Sequence, residues 1–370
     1  MSGAAQPGPR SWIATYRLQL HADFTLADAG KVLPYLKELG ISHVYLSPCL
    51  QAMRGSQHGY DVTDPRRISE DLGGEAAWTQ FVASARDRAV GILLDIVPNH
   101  MAATAQNPWW DDVLCHGPYS RYCQYFDIRM AVPSRFCVHI CSLARPYGEA
   151  LAAGELNLEV LQGQLRVRHY DNTWPLSPAS WSALFDRADP CFAQLERLTQ
   201  VDSPSEPQLL AYRAAVEKAT QIVKDFAHQG GLPAAIADIN SDRDRLDALL
   251  QRQFYALHGW KLAGELVNYR RFFDISTLVG ISTERAEVFT AAHERFRKMI
   301  AAGEIDGLRV DHPDGLRDPR EYFRRLRELL PQGRIYVEKI LDNEEQLRTE
   351  WPVDGTVGYE FLSKVNRLWM

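Results

Sequence analysis

Apolar positions along this chain switch repeatedly between a period of two and a period of three to four, the mark of strands alternating with helices. Trp12 to Leu20 is rich in β-formers and reads as a first strand. Thr25, with Asp28 three residues later, has the spacing of a capping box. Leu26, Ala29, Leu33, Leu36 and Leu39 then recur at helical spacing, Gly40 closes the helix, and Pro34 inside the pattern predicts a kink. Ile41 to Leu46 is a second strand. A helix near Glu75 to Ala89 leads to a third strand, Gly91 to His100, on which Leu93, Asp95 and Val97 share a face. Right-handed parallel pairing follows from such crossovers.

Between Met101 and about Leu278 the alternation breaks. That stretch opens on aromatics (Trp109, Trp110, Tyr119, Tyr122, Tyr125, Phe126), has a polar β-like run from Glu155 to Tyr170 and a helical run from Gln208 to Ala227, and ends in Phe254 to Phe273, rich in Tyr, Trp and Arg. It reads as an insertion subdomain over the active site. Regular pattern returns at Thr283, where Val288, Phe289, Ala292, Phe296, Met299 and Ile300 make one helical face closed by Gly303. Ile305 to Asp311 and Arg334 to Glu338 are strands flanking a helix from Asp318 to Leu330, signed by Asp318 as N-cap, Pro319 at the first position and Glu321 at the third. A helix near Asn343 to Glu350, a strand-like Val353 to Val357 and a further helix from Tyr359 follow. The expectation is an α/β fold: a (β/α)8 TIM barrel truncated after about six strands. Its parts would be a disordered stretch 1–10, strands 1–3 in 11–100, the insertion 101–278, and strands 4–6 in 279–370.

Composition narrows the class. The chain has 370 residues, 46% hydrophobic and 24% charged, with a net charge of −6 and a pI near 6.0. Those are ordinary values for a soluble globular protein. No basic run argues for nucleic acid, and the longest apolar runs are strand-length, which argues against a membrane span. Met1 to Arg10 lacks the apolar segment of a secretory leader, so a cytoplasmic location is expected. Six cysteines are too sparse for a disulfide scaffold, and Cys137 and Cys141 have no second pair to complete a metal site. No metal and no other cofactor is expected.

The chemistry gathers at strand ends. Arg309 and Asp311 share one strand face, and Tyr336 and Glu338 share another, so each strand carries a carboxylate at its C-terminal end. Parallel α/β folds place their active sites there. Two such acids suit a nucleophile and general acid for glycosyl transfer; they equally suit helix caps or surface ion pairs. Asp95, an acid inside an apolar strand, needs a buried partner, for which Arg309 is the obvious candidate. The long segment Ser47 to Gly74 carries His58, Tyr60 and Asp61, and long ordered loops are usually functional. His58, His100 and His312 each fit an ordinary loop histidine. Tyr60, Trp109 and Trp110 could be core, or could form a platform for the apolar face of a sugar.

Three stretches then resemble signatures of the α-amylase superfamily, glycoside hydrolase family 13. Asp95-Ile96-Val97-Pro98-Asn99-His100 is similar to the first, Gly307-Leu308-Arg309-Val310-Asp311-His312 to the second and Glu338-Lys339-Ile340 to the third. Within the superfamily, Thr15 to Gln19, Gly55 to Val62, Asn268 to Asp274 and Asp354 to Tyr359 resemble the maltooligosyl trehalose synthase family. That resemblance implies a reducing-end α-1,4 bond of a maltooligosaccharide isomerised to an α,α-1,1 bond, in sequence with a trehalose-releasing hydrolase. It implies Asp311 as nucleophile and Glu338 as general acid/base. Arg309 would hold Asp311 ionised, while Tyr60, Asp61, His100 and His58 would contact the glucose at the cleavage point, with Asp95 and His312 beside them. The fourth signature, which carries a third catalytic Asp, has no match here, and Asp314 and Asp342 do not fit it. The expectation is therefore the N-terminal part of a longer enzyme, with reduced activity or none. The alternatives are another α-glucan hydrolase or transglycosylase, and a non-catalytic glucan-binding remnant.

Overall fold

The computed structural model describes residues 11–130, 135–185, 189–342 and 344–370. The stretch 1–10, expected to be disordered, lies outside them. The chain divides into two compact units, Met1–Ala102 with Ile281–Met370, and Ala103–Gly280.

The first unit is built on a six-stranded sheet. Its strands are β1 (Thr15–Leu18), β2 (His43–Leu46), β3 (Gly91–Ile96), β4 (Gly307–Val310), β5 (Arg334–Val337) and β6 (Gly355–Thr356), hydrogen-bonded in chain order and parallel throughout. This is the parallel half-barrel that the alternation predicts. β3 and β4 are buried at every position, as fits strands covered on both faces. The register sets Arg309 beside Asp95 on one side and Tyr336 on the other.

The helices follow their signals closely. α1 (Leu26–Glu38) starts at a Thr25–Asp28 capping box, buries Leu26, Ala29, Leu33 and Leu36, and runs unbroken through Pro34. Leu39 lies past its end and is exposed. α2 (Gly74–Asp87) packs Trp78, Phe81 and Val82 inward. The expected helix after Thr283 is two helices, α3 (Ala286–Ala292) and α4 (Glu294–Ala301). They part at His293, whose ring is buried between the Phe289 carbonyl and the Tyr322 hydroxyl, each 2.8 Å away. A carbonyl can only accept, so Nδ1 carries the proton and Nε2 accepts from the phenol. Burial pushes this imidazole down to about 4, which keeps it neutral. α5 (Pro319–Leu329) begins as predicted, with the Asp318 carboxylate accepting from Glu321 N at 3.0 Å.

Four expectations need correction. The third strand ends at Ile96, before Val97 and Pro98, and His100–Ala102 forms a separate short strand; Pro98 cannot donate to a ladder. The segment Ser47 to Gly74 is partly regular, because Leu50–Ala52 pairs antiparallel with Val62–Ile68. Residues 344–350 are not helical, and Asn343 lies outside the described residues. Lys339 ties Glu345 (2.8 Å) and Asp314 (3.1 Å) together there, and the Asp342 amide donates to Glu345. Such links hold an irregular segment. Only Gly355 and Thr356 of the predicted sixth strand pair. Asp354 just before them takes the Ile335 amide with its side chain and binds Arg327 and Arg334. α6 (Tyr359–Trp369) then buries none of its residues.

The second unit holds an antiparallel sheet of Asn157–Leu161, Gln164–His169 and Asn172–Pro175, where a β-like run was read, and a helix Glu206–His228 around the predicted helical run. Trp109 and Trp110 sit on the helix Pro108–His116, capped by Asn107, and are only 2% and 1% exposed. They pack on Tyr122, Tyr125, Phe126 and Tyr269. The two tryptophans are core, and the reading of them as a sugar platform falls. All six cysteines are free thiols.

Leu308, fully buried on the central strand β4, is a sensitive point. Leu308→Ala lowers the unfolding free energy by about 2–5 kcal/mol through lost contact and a residual cavity. Asp318→Ala, removing one cap, costs about 1 kcal/mol. Urea unfolding of the two variants checks both sizes and their order.

Candidate active site

A cation at the end of β4 organises the acids. Arg309 Nη1 lies 2.9 Å from Asp95 Oδ1 and 2.6 Å from Asp311 Oδ1, and its Nη2 lies 3.0 Å from Glu338 Oε1. One planar guanidinium thus touches three carboxylates from three adjacent strands or strand ends. The other Glu338 oxygen accepts the His312 amide at 3.1 Å, which stitches the end of β4 to the end of β5. His312 itself has a left-handed backbone, φ 43°. That conformation is costly for a residue with a Cβ and is typical of functional strand ends. Glu338 keeps 26% of its side chain exposed, whereas Asp95 has none.

Asp95 is the most buried acid of this group; burial raises its carboxyl, while Arg309, Tyr60 and Arg17 pull it back down. Besides Arg309 it accepts from the Tyr60 hydroxyl (2.6 Å), the Tyr45 hydroxyl (2.9 Å) and Arg17 Nη1 (3.3 Å), all at Oδ2. A buried carboxylate is tolerable only when its lone pairs are taken in this way. Burial beside Asp95 pushes both phenols up, so both remain protonated donors. Arg17 also stacks over the Tyr45 ring, 4.7 Å from its centroid.

Tyr60 comes from the loop between Leu50–Ala52 and Val62–Ile68. Its backbone amide donates to His58 Nδ1 (3.0 Å), and Ser56 Oγ donates to Asp61 Oδ1 (2.5 Å). Gly59 within the loop has φ +79°, and a Cβ there would stand 2.4 Å from the Pro48 carbonyl oxygen, so only glycine fits. His58 is half exposed, with Nδ1 3.9 Å from Asp61. His100 is fully buried on its short strand, with Nδ1 3.5 Å from Asn99 Nδ2.

Electrostatics here differ from the simple expectation that Arg309 holds Asp311 ionised. Burial pushes the Asp311 carboxyl up to about 7; Arg309 pulls it down, but Asp95 and Glu338 repel its charge. Burial outweighs Arg309, and the neighbouring carboxyls add to it. Burial opposes the charge of Arg309 as well, yet Asp95, Tyr45 and Asp311 raise it, so it stays cationic.

The Asp95–Arg309 pair, anticipated from the sequence, is present, and Asp311, Glu338 and Tyr60 join it directly. His312 joins through its backbone. His58 and Asp61 bond within their own loop, and His100 approaches Asn99. Arg17 and Tyr45, both bonded to Asp95, were missed as site residues. Each is a polar residue near a strand's C-terminal end, and only the pairing of β1 with β2 puts the two in register.

The raised Asp311 carboxyl makes stability depend on pH in a set direction. Between about pH 4 and 7 the folded chain keeps a proton that the unfolded chain releases, so stability falls as pH rises through that window. Asp311→Asn removes this penalty. It raises the unfolding free energy at pH 8 by as much as about 4 kcal/mol, and the gain vanishes by about pH 4. Urea unfolding of parent and variant at both pH values measures it.

Comparison with known proteins places this geometry. Residues 26–139 match the family model of the alpha amylase catalytic domain. A putative maltooligosyl trehalose synthase of Mycobacterium tuberculosis is 35% identical over 368 residues, covering 95% of this chain and 38% of its own length. A solved glycosyltrehalose synthase is similar with a TM-score of 0.73 and 34% identity, over 96% of this chain and 41% of that one. The maltooligosyltrehalose synthase of Arthrobacter ramosus gives 0.72 and 32%, over 96% and 38%. The chain spans 38–41% of the length of these relatives. The chain carries an alpha-amylase-type domain, and over nearly its whole length it is similar to maltooligosyl trehalose synthases.

Proposed function

We propose that this chain carries the nucleophile and the general acid/base of a retaining intramolecular glucosyl transfer, which converts the reducing-end α-1,4 bond of a maltooligosaccharide to an α,α-1,1 bond. The observation that carries the reading is Arg309 joined at once to Asp311 and Glu338. A retaining mechanism needs its two carboxyls about 5–5.5 Å apart, and the two nitrogens of one guanidinium hold such a pair at close range.

In the first half-reaction Glu338, the more exposed acid, gives a proton to the glycosidic oxygen. Asp311 attacks the anomeric carbon and forms a glycosyl ester while the reducing-end glucose leaves. The freed glucose turns, Glu338 takes the proton from its anomeric hydroxyl, and that oxygen displaces Asp311 to close the new bond. Arg309 neutralises the charge that moves between the two acids. Asp95 positions Arg309 and Tyr60, while Tyr60, Asp61, His58, His100 and His312 would contact the sugar. Retention of the glucose against bulk water favours transfer over hydrolysis. The partners of this reading are an α-glucan and, in sequence, a hydrolase that releases trehalose from the isomerised end. A cytoplasmic location fits such a pathway; among the described residues no helix is long and apolar enough to cross a membrane.

Incubation with maltopentaose decides the matter. The proposal predicts a non-reducing isomer of the same mass, lost by roughly 10³-fold or more in Glu338→Gln and in Asp311→Asn. Shorter reducing sugars would point instead to a hydrolase, and glucan binding without turnover to a binding remnant. Because Asp311 must be ionised to attack, kcat/KM of the parent rises with pH up to about 7.

A further inference from the structure

Arg17 and Gln19 leave the end of β1 towards the loop that carries His58, Tyr60 and Asp61, and neither has a role in the chemistry above. Arg17 Nη2 donates to the Tyr60 hydroxyl oxygen at 3.1 Å and to Gln19 Oε1 at 3.0 Å. Gln19 Nε2 donates to the Gln57 carbonyl at 3.0 Å. The orientation of the Gln19 amide is settled by its neighbours, since a guanidinium requires its oxygen and a carbonyl requires its nitrogen. Tyr60 is held from both sides as well, its single proton going to Asp95 and its lone pair taking Arg17.

These bonds form one chain from strand to loop. Arg17 is in register with Tyr45 on β2 and bonds Asp95 on β3. The strand ends therefore fix the guanidinium, and the guanidinium fixes both the tip of Tyr60 and, through Gln19, the backbone at Gln57. Most other bonds of the 55–61 loop are local to it or to its own ribbon, such as Gly59 N to Ser56 Oγ, Tyr60 N to His58 and Met53 N to the Asp61 carbonyl; at its start Gly55 N also donates to Asp71 Oδ2 at 2.8 Å. Local bonds give the loop its shape but do not say where it sits over the strand ends. From this we infer that Arg17 and Gln19 are positioning residues, a latch that seats the 55–61 loop over the barrel end and thereby sets how well a released glucose is kept from water.

The second half of that statement rests on the proposed transfer reaction; the first half does not, and the test separates them. Gln19 is exposed, so Gln19→Ala leaves the core untouched. Gln19→Glu keeps an acceptor for Arg17 and removes the donor to Gln57. Hydrogen–deuterium exchange on the full chain is the primary measurement. Both variants are expected to exchange the amides of residues 55–61 at least several-fold faster than the parent, with β3 and β4 unchanged. Exchange that stays at the parental rate in both variants overturns the latch, whatever the enzyme does. With maltopentaose, the variants are expected to release free glucose at a severalfold higher ratio to isomer, with kcat changed more than KM. A faster-exchanging loop with an unchanged ratio overturns the link to transfer. A parent that forms no isomer counts against the proposed reaction, and the exchange data still decide the latch.

Discussion

One guanidinium has to serve three carboxylates at the end of β4, and much of the first unit is arranged around that constraint. Arg309 reaches Asp95, Asp311 and Glu338 within 3.0 Å. Three acids against one cation in a dry site would be prohibitive if each depended on it alone. Asp95 does not: two phenols and Arg17 also satisfy it. Glu338 is partly hydrated and takes a backbone amide. Burial nevertheless raises both Asp95 and Asp311, and Asp311 is pushed up to about 7. The arrangement thus gives three chemically alike side chains three different surroundings: Asp95 is fully buried and met by four donors, Glu338 is partly hydrated, and Asp311 is buried against Arg309.

Parallel packing makes that sorting possible. Because β3, β4 and β5 are adjacent and in register, Asp95, Arg309 and Tyr336 lie side by side, and the residues just past each strand end converge. The strain visible at His312 is local to this point. It turns the chain so that an amide, rather than another side chain, meets Glu338. The long loop before α2 then brings Tyr60 onto the same anion from outside the sheet.

Much of this was readable from residue pattern. Alternation of period found the six parallel strands, and the two-residue spacing of Arg309 and Asp311 put them on one face. The need of a buried Asp95 for a cation named Arg309 as its partner. What escaped the pattern depended on contacts between segments far apart in the chain. Arg17 and Tyr45 look like ordinary strand-end residues until the fold brings Asp95 within 3.3 Å of both. The break at His293 is set by Tyr322, 29 residues away. The failure of 344–350 to form a helix follows from a lysine that binds Glu345 and Asp314 together. Trp109 and Trp110 were ambiguous because an aromatic pair has the same pattern in a core as on a binding face, and only burial distinguishes them.

The central claim is that burial, with Asp95 and Glu338 close by, leaves Asp311 with a proton held near neutral pH despite Arg309, and the most direct measurement is a carboxyl-carbon NMR titration of Asp311 in the folded chain. A midpoint near 7, with a shift to lower pH when Glu338 is replaced by Gln and its repulsion is removed, is the predicted result. A midpoint at or below the ordinary aspartate value of about 3.9 would contradict it, because Arg309 would then outweigh burial.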